Sequence, residues 1–300
     1  MIANNSENSV EGEATHAQVA ETADAFKTGE SKNEIVTEHT LFAEPIAHWG
    51  SFTITNSLLN SWLVILIVVI FGLSLRKKIK LIPSGLQNGF EMIIEAFLNI
   101  FDGVTNSRAK SIKFAPLVLS FFFFVLLNNW LGTFPGVGSI GKVVQESHEQ
   151  IFIPYFRGGT ADLNTTLALA IIGVVASHIF GVMALGMWNH FNKFINLKAF
   201  LEIPKKIRKD PSIIIVNPIK AFVGIIEVIG EVAKVASLSF RLFGNIFAGE
   251  VLLASMSAIM AWGMPIPFMF LEIIVGLIQA LIFAILILIY LSINTTADEH

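Results

Sequence analysis

The chain has 300 residues, of which 54% are hydrophobic and only 14% are charged, and its mean hydropathy is +0.68. An ordinary soluble domain carries about 25% charged residues, so this composition predicts an integral membrane protein. The absence of cysteine excludes a disulfide scaffold, a zinc–thiolate site and a cysteine nucleophile. The net charge of −3, without a basic tail, argues against nucleic-acid binding.

The first 45 residues differ in composition from the rest of the chain. They hold 11 charged side chains, of which only Lys27 and Lys32 are basic. A polar, acidic segment of this kind cannot bury enough apolar surface to fold by itself. We therefore predict that residues 1–45 form a flexible acidic extension and that residues 46–300 form the membrane domain.

The apolar stretches predict an all-α fold. A bilayer core about 30 Å thick requires about 20 apolar residues of helix. Stretches that meet this requirement are residues 57–75, 114–133, 165–188 and 213–293, the last broken near Pro265. We therefore expect about five membrane helices.

The connection after the first span contains a different pattern. Between residues 86 and 104, apolar side chains recur at helical spacing and polar side chains hold the opposite face. This pattern predicts an amphipathic helix that lies at the membrane interface. Packing of its apolar face against protein is the alternative.

Basic residues alternate in number between successive connections. Residues 1–56 contain two, residues 76–113 seven, residues 134–164 two and residues 189–220 seven. Since short cytoplasmic loops collect lysine and arginine, the alternation predicts an N-terminus outside the membrane. With two further membrane elements, the C-terminus is expected in the cytoplasm.

The last apolar region is too long to cross a bilayer upright. Asn217 and Pro218 form a plausible N-cap and N1 pair, and no proline follows until Pro265. One helix over these positions would be roughly 67 Å long, about twice the bilayer core. We expect two strongly tilted helices over residues 213–293. Two ordinary spans with a mid-membrane break at a glycine are the alternative.

Eight polar side chains interrupt this region and are candidate functional residues. A charge at the centre of a membrane helix costs about 2.5–3.5 kcal/mol on insertion scales. In chain order they are Glu227, Glu231, Lys234, Arg241, Asn245, Glu250, Glu272 and Gln279. At about 100° per residue the first five share one side of a helix, where Glu231 and Lys234 can pair.

Arg241 has no acidic residue three or four positions away, so its counter-charge must come from elsewhere. The small residues Ala233, Ser237, Gly244 and Ala248 lie along the same side, and they would let another helix approach closely. A permanently charged arginine suits a barrier or gate better than a proton relay. The alternative is an arginine that snorkels to the interface.

Two carboxyl groups are candidates for a proton path. Glu250 lies nine positions after Arg241, half a turn away around the helix, and Glu272 shares a face with Gln279. Carboxyl groups in apolar surroundings can take up and release protons near neutral pH. Structural hydrogen bonding is the alternative for both. It is the commoner role for three polar residues on other spans: Asn128, Asn129 and His178.

Residues 239–250, SFRLFGNIFAGE, resemble the hallmark segment of subunit a of the F-type ATP synthase. Glu227 and Lys234 lie at the expected distances before the arginine. The stretch LEIIVGLIQALIF, which contains Glu272 and Gln279, is similar to the last helix of that family, as is the ending YLSINTTADEH. The resemblance covers about residues 45–300.

The resemblance implies a proton-conducting stator subunit, non-catalytic by itself, beside a rotating ring of c subunits that carry carboxyl groups. Arg241 would separate two offset half-channels. The other implied site residues are Asn245, Glu250, Glu272 and Gln279 on the outer side, Glu227 at the cytoplasmic exit, and Lys234, Glu231, His178 and Asn128 in support. Some members have a glutamate and a histidine where this chain has Glu250 and Glu272, so the principal relay stays open.

The resemblance also implies partners and a location. The partners would be the c-ring, peripheral-stalk b subunits, membrane lipid and, indirectly, the F1 sector, with no cofactor and no metal. The location would be a bacterial inner membrane rather than that of an organelle. An independent secondary transporter is the alternative, but it would show internal repeats, which the sequence lacks. A scaffold is disfavoured by the cost of Arg241, and nucleotide chemistry is left to partners because no such motif occurs.

Overall fold

The computed structural model describes residues 35–36, 40–50, 52–76, 85–146, 149–190, 213–260 and 263–296. These ranges form six long helices, which are α1 (Asn56–Arg76), α2 (Leu86–Thr105), α3 (Arg108–Thr133), α4 (Leu163–Leu185), α5 (Ile213–Ile259) and α6 (Pro265–Thr295). All but α2 are long and apolar enough to cross a membrane. The predicted all-α membrane fold is confirmed.

Short strands, which the sequence did not predict, occupy the connections. In the helical unit, β2 (Pro45–Trp49) and β3 (Phe52–Thr55) form an antiparallel hairpin that turns at Gly50, whose φ is +64°. A second, small unit is built around β1 (Ile35–Val36) and β5 (Glu149–Pro154), which pair in parallel. With β4 (Gly141–Glu146) they form a three-stranded sheet in the order β1–β5–β4.

Helix α6 is central to the helical unit. It packs against α3, α4 and α5, while α3 also packs against α1 and α2. The shared core is rich in phenylalanine and branched residues, such as Phe121 of α3 and Phe283 of α6, whose ring centroids lie 5.7 Å apart. Gly173 of α4 leaves room for the Ile287 side chain, which a Cβ at that position would overlap.

Helix α2 is amphipathic, as predicted, but its apolar side chains divide between two environments. Phe97 and Phe101 are buried, and the ring centroid of Phe97 lies 4.6 Å from that of Phe122 on α3. Met92 and Ile100 remain exposed. One part of the apolar face therefore packs against protein, and a position of the rest at the membrane interface stays a prediction.

Helix α5 is one helix of 47 residues, so no break at an internal glycine occurs between its ends. At about 1.5 Å per residue it is about 70 Å long, roughly twice a bilayer core, and its steep tilt stays a prediction. The predicted start at Asn217 and Pro218 is wrong, because the helix already includes Ile213. A proline inside a helix generally costs about 3 kcal/mol or more because it removes one backbone hydrogen bond and crowds the preceding turn, which is why the sequence favoured a helix start there.

The second long helix begins where the sequence predicted a break. Gly263 has a φ of +95°, and Pro265 is the first residue of α6, which has 31 residues. Proline suits this position because the first N–H of a helix has no partner within it. The chain therefore reverses between α5 and α6 at a glycine followed by a proline.

Several predictions fall on residues outside the described ranges. They are most of the acidic extension, most basic residues of the two predicted cytoplasmic loops, and the C-terminal residues 297–300. The described part of the extension includes Thr40 and Phe42, whose backbone carbonyl groups accept hydrogen bonds from Arg157. The domain boundary near residue 45 and the orientation of the termini stay predictions.

Candidate functional site

Arg241 lies on an exposed side of α5. Its Nη2 atom donates a hydrogen bond to the Ser237 hydroxyl at 3.2 Å, and within the described residues its guanidinium makes no ion pair. On the adjoining part of the helix surface, Leu238 and Leu242 are 2% and 1% exposed and belong to the core. The charge of Arg241 is therefore directed away from the core.

The predicted stripe of small residues is exposed together with the arginine. We define the Arg241 face as the exposed residues Ala233, Ser237, Arg241, Gly244, Asn245 and Ala248. A Cβ built at Gly244 would meet no atom within 4 Å. Among the described residues, then, no helix of this chain supplies the neighbour that the small residues predict.

Glu250 is turned away from the Arg241 face, as its spacing predicted, and is paired with Arg157. The Arg157 Nε and Nη2 atoms donate to the two Glu250 carboxylate oxygens at 2.8–3.1 Å. The Arg157 side chain is 5% exposed and that of Glu250 is 27% exposed. This is a bidentate, largely buried ion pair between α5 and the segment that follows β5.

Glu272 of α6 lies against the backbone of α5. Its carboxyl group packs on Gly249, where an added Cβ would overlap it. Glu272 is 7% exposed, and its Oε1 atom has no hydrogen-bond partner among the described residues. Gln279, two turns further along α6, is half-buried. The site thus holds two carboxyl groups in different states: Glu250 is paired with a cation and Glu272 is not.

Lys234, Glu231 and two histidines form a chain of polar contacts. Lys234 Nζ donates to Glu231 Oε1 at 2.6 Å, which confirms that these residues pair. The other oxygen of Glu231 lies 3.2 Å from His178 Nε2 on α4. His178 Nδ1 is in turn 3.1 Å from Nε2 of His190, which is 2% exposed. Glu227, one turn before Glu231, is half-buried.

A groove gives this polar chain access to the outside of the protein. It has a volume of about 560 Å³ and lies between α4 and α5. Its walls are mostly apolar, and the polar side chains that line it are His178, His190 and Glu231. The groove therefore brings three titratable side chains of the polar chain to a common opening.

The two asparagines of α3 join helices. Asn128 Oδ1 accepts hydrogen bonds from Asn60 at 3.2 Å and from Ser61 at 3.3 Å, both on α1. Asn129 Nδ2 donates to the Gly276 carbonyl of α6 at 2.9 Å, and its Oδ1 accepts from the Thr160 hydroxyl. These contacts favour the helix-joining role for both residues.

Two polar residues of the site were not singled out from the sequence. Arg157 was counted only as a loop charge, and nothing in its neighbourhood predicts a partner 93 positions away. Asp162 is the N-cap of α4, where its carboxylate accepts hydrogen bonds from the backbone N–H groups of Asn164 and Thr165. An aspartate directly before an apolar run is a recognised N-cap signal, so Asp162 could have been found.

Comparison with known proteins gives consistent matches over most of the chain. Residues 58–292 match the family model described as ATP synthase A chain. A protein named ATP synthase subunit a from Syntrophobacter fumaroxidans is 30% identical over 87% of this chain and 92% of its own length. The protein of that name from Moorella thermoacetica is 28% identical over 82% and 94%. The chloroplastic subunit a of Stigeoclonium helveticum is 30% identical over 81% and 85%.

Proposed function

Since this chain belongs to the family of ATP synthase subunit a, and so is a multi-pass membrane subunit of the F-type ATP synthase, we propose that it conducts protons past a rotating ring of c subunits. In this proposal Arg241 separates two offset half-channels. A proton leaves a ring carboxyl group on one side of Arg241 and another binds a ring carboxylate on the other side. The subunit catalyses no chemical reaction by itself.

The observation that carries this proposal is the exposed position of Arg241 in an apolar span. An unpaired charge within a bilayer costs at least about 2.5 kcal/mol on insertion scales, so it requires a partner. Within the described residues the Arg241 guanidinium makes one hydrogen bond, to a hydroxyl group, and no ion pair. A carboxylate on another subunit would supply the missing counter-charge, and arginine would hold it in its ionised form without taking part in proton transfer.

The Arg241 face also supports a ring as the partner. Its small residues let a second helix approach closely, since they place little bulk between the two backbones. The face runs from Ala233 to Ala248, which is about 22 Å of helix at 1.5 Å per residue. Along this length a helix of a c subunit could approach α5 closely.

The remaining polar residues are assigned to the two half-channels. Asn245, Glu250, Glu272 and Gln279 line the path from the outside. Glu227 lines the exit to the cytoplasm, supported by Glu231, Lys234 and His178, which form one connected polar chain at 2.6–3.2 Å. Asn128 supports the fold through its contacts with α1.

Orientation and assembly complete the proposal. Residues 1–45 form an extracytoplasmic extension of the membrane domain, the C-terminus is cytoplasmic, and the host membrane is a bacterial inner membrane. The alternation of basic residues along the chain supports this orientation. Besides the c-ring, the subunit binds peripheral-stalk b subunits, and it reaches the F1 sector through them.

The test is replacement of Arg241 by alanine in the assembled ATP synthase. The Arg241→Ala variant is expected to assemble with the c-ring but to lose proton-driven ATP synthesis, because nothing then draws a proton from the ring carboxyl group. Synthesis is measured in membrane vesicles, and assembly by copurification of the ring. The matched control is Arg76→Ala, which removes an exposed arginine at the end of α1. Retained synthesis in Arg241→Ala would contradict the gating role.

A further inference from the structure

Arg157 occupies a site that uses its guanidinium almost completely. Besides its bonds to Glu250, its Nη1 atom donates to the Phe42 carbonyl at 3.2 Å and its Nη2 atom donates to the Thr40 carbonyl at 2.9 Å. The three nitrogen atoms thus make five hydrogen bonds to α5 and to the segment before β2. The guanidinium is thus held between α5 and the segment before β2, and a shift away from Glu250 would also disturb its bonds to Thr40 and Phe42.

Such an arginine restricts the chemistry of its carboxylate. Arginine stays protonated at every working pH, and a bidentate Arg–carboxylate pair is among the strongest hydrogen-bonded pairs in proteins. Protonation of Glu250 would remove the charge that balances a buried guanidinium, and leaving one buried charge unpaired costs several kcal/mol. A group that must bind and release a proton in each cycle cannot be held in one state in this way.

Glu272 has the opposite surroundings. Its carboxyl group lies on Gly249, directly next to Glu250 in the chain, but within the described residues it has no cation, and its Oε1 atom has no hydrogen-bond partner. Burial without a cation favours the neutral acid of Glu272, but no fixed partner among the described residues prevents it from releasing and taking up a proton. It can therefore exist both as the neutral acid and as the carboxylate, which is what a relay requires.

The titratable groups of the elements packed against this part of α5 are few. Among the described residues, Tyr155, Arg157 and Asp162 belong to the segment between β5 and α4, and Glu272 belongs to α6. Asp162 caps α4. His178 of α4 contacts Glu231, which lies about five turns before Glu250 in α5. Among the described residues, Arg157 pairs with Glu250 directly, and Glu272 lies on its chain neighbour Gly249.

We propose that Arg157 is a positioning residue that holds Glu250 as a permanent carboxylate and leaves Glu272 as the carboxyl group that relays protons in the outer half-channel. This inference rests on the proposed function and assigns separate roles to the two glutamates of that half-channel. Glu250 then acts as a fixed negative charge that favours the entry of protons, and Arg157 acts only through it.

Four variants of the assembled ATP synthase test the inference by proton flux in vesicles. Glu272→Gln is expected to abolish flux. Arg157→Gln is expected to lower flux about 10- to 100-fold, because the freed Glu250 side chain shifts and takes protons itself. The double variant Arg157→Gln with Glu250→Gln should conduct more protons than Arg157→Gln, since neither charge is then unpaired. It should conduct fewer than the wild type, because it lacks the fixed charge that favours proton entry. Arg157→Lys keeps the positive charge but cannot bind both carboxylate oxygens as the guanidinium does. Its proton flux should fall between those of the wild type and Arg157→Gln.

Infrared difference spectra between two pH values give a readout that a purely structural pair would not change. The ring carboxyl groups contribute to the carbonyl band of protonated carboxylic acids in every variant. Subtracting the spectrum of a variant from that of the wild type should therefore reveal one lost component of this band for Glu272→Gln and none for Glu250→Gln. In Arg157→Gln, a second such component should appear, and it should vanish when Glu250→Gln is added. Copurification of the c-ring verifies that each variant assembles.

The inference is overturned if the double variant loses flux as completely as Glu272→Gln, or if Glu250→Gln removes a component of the wild-type band. This failure differs from failure of the proposed function. If Arg241→Ala retained coupled synthesis, the gating role would fall whatever the Arg157 variants show. If Arg241→Ala behaves as expected, the results for Arg157 and Glu250 bear on the relay alone.

Discussion

At the scale of single residues, two arginines with the same chemistry have opposite surroundings. Among the described residues, Arg157 is 5% exposed and makes five hydrogen bonds, whereas Arg241 is exposed and makes one, to Ser237. The bonds of Arg157 use four of the five N–H donors of its guanidinium, which leaves a single N–H for another molecule. The charge of Arg157 therefore acts within the subunit, and that of Arg241 remains for a partner.

Gly249 provides a residue-scale test of the relay. An added Cβ would overlap the Glu272 carboxyl group, which is the mobile end of a side chain and so must turn away. Gly249→Ala is expected to leave assembly intact and to lower proton flux in vesicles about 10- to 100-fold, because the relay group is displaced.

The matched control for this substitution is Gly230→Ala in the same helix. A Cβ at Gly230 would meet no atom within 4 Å, so the flux of this variant should equal that of the wild type. Both changes raise helix propensity by a similar amount, about 1 kcal/mol, so a difference between them reports on the Glu272 contact. Equal, undiminished flux in the two variants would show that the position of Glu272 does not matter.

At the scale of elements, α3 and α6 are joined by polar groups at a point of close approach. A Cβ at Gly276 would lie 3.0 Å from the Asn129 Cβ, so the glycine brings the helices close. Two side-chain donors of α3 use carbonyl oxygens of α6: Asn129 binds Gly276 and Trp130 binds Ile273. In a membrane, contacts of this kind replace the hydrophobic effect as the force between helices.

Asn129→Ala tests the contribution of these contacts. It removes the bond to Gly276 and leaves the Thr160 hydroxyl without its acceptor, so we expect a loss of about 1–2 kcal/mol of stability. The measurement is the thermal unfolding of the purified complex in detergent. The control is Ser120→Ala on the same helix, whose hydroxyl is exposed and donates only within α3, to Pro116. An unfolding temperature as high as that of the control would refute the contribution.

At the scale of the whole molecule, the uncovered surface of α5 is what makes the subunit part of an assembly. The core of the helical unit covers one side of α5, where Leu238, Leu242 and Ile246 are buried. The Arg241 face is exposed over the same stretch of helix. A charge and a row of small residues on one such surface predict contact with a second protein, which would supply a counter-charge and a closely packed helix.

The absence of cysteine from the chain allows a direct test of this surface. Single cysteines introduced as Gly244→Cys or Ala248→Cys are expected to form cross-links to c subunits that carry a cysteine in their facing helix, because these positions are exposed. Leu242→Cys, at a position that is 1% exposed, should form none. Cross-links are detected by gel electrophoresis of membranes. Cross-linking at Leu242 but not at Gly244 would show that another face binds the ring.

Hydropathy and spacing along the chain were sufficient for the membrane fold, the five spans, the amphipathic helix and the Glu231–Lys234 pair. Each depends on residues within one helix, where the 3.6-residue period fixes relative positions. The same period placed Arg241 and Glu250 on opposite sides of α5. It failed at Asn217 and Pro218, because the local cost of a proline inside a helix predicts a start there, whereas the helix begins at Ile213.

Only the tertiary structure decided which distant residues meet. Arg157 pairs with Glu250 across 93 positions, Glu272 lies on Gly249, and His178 reaches Glu231. Each contact depends on how separate helices and loops pack, and no local pattern records that. The sequence alone determined that this is a membrane protein with a few costly charges. The packing of its helices determined which of those charges are neutralised inside the subunit and which one is left for a partner.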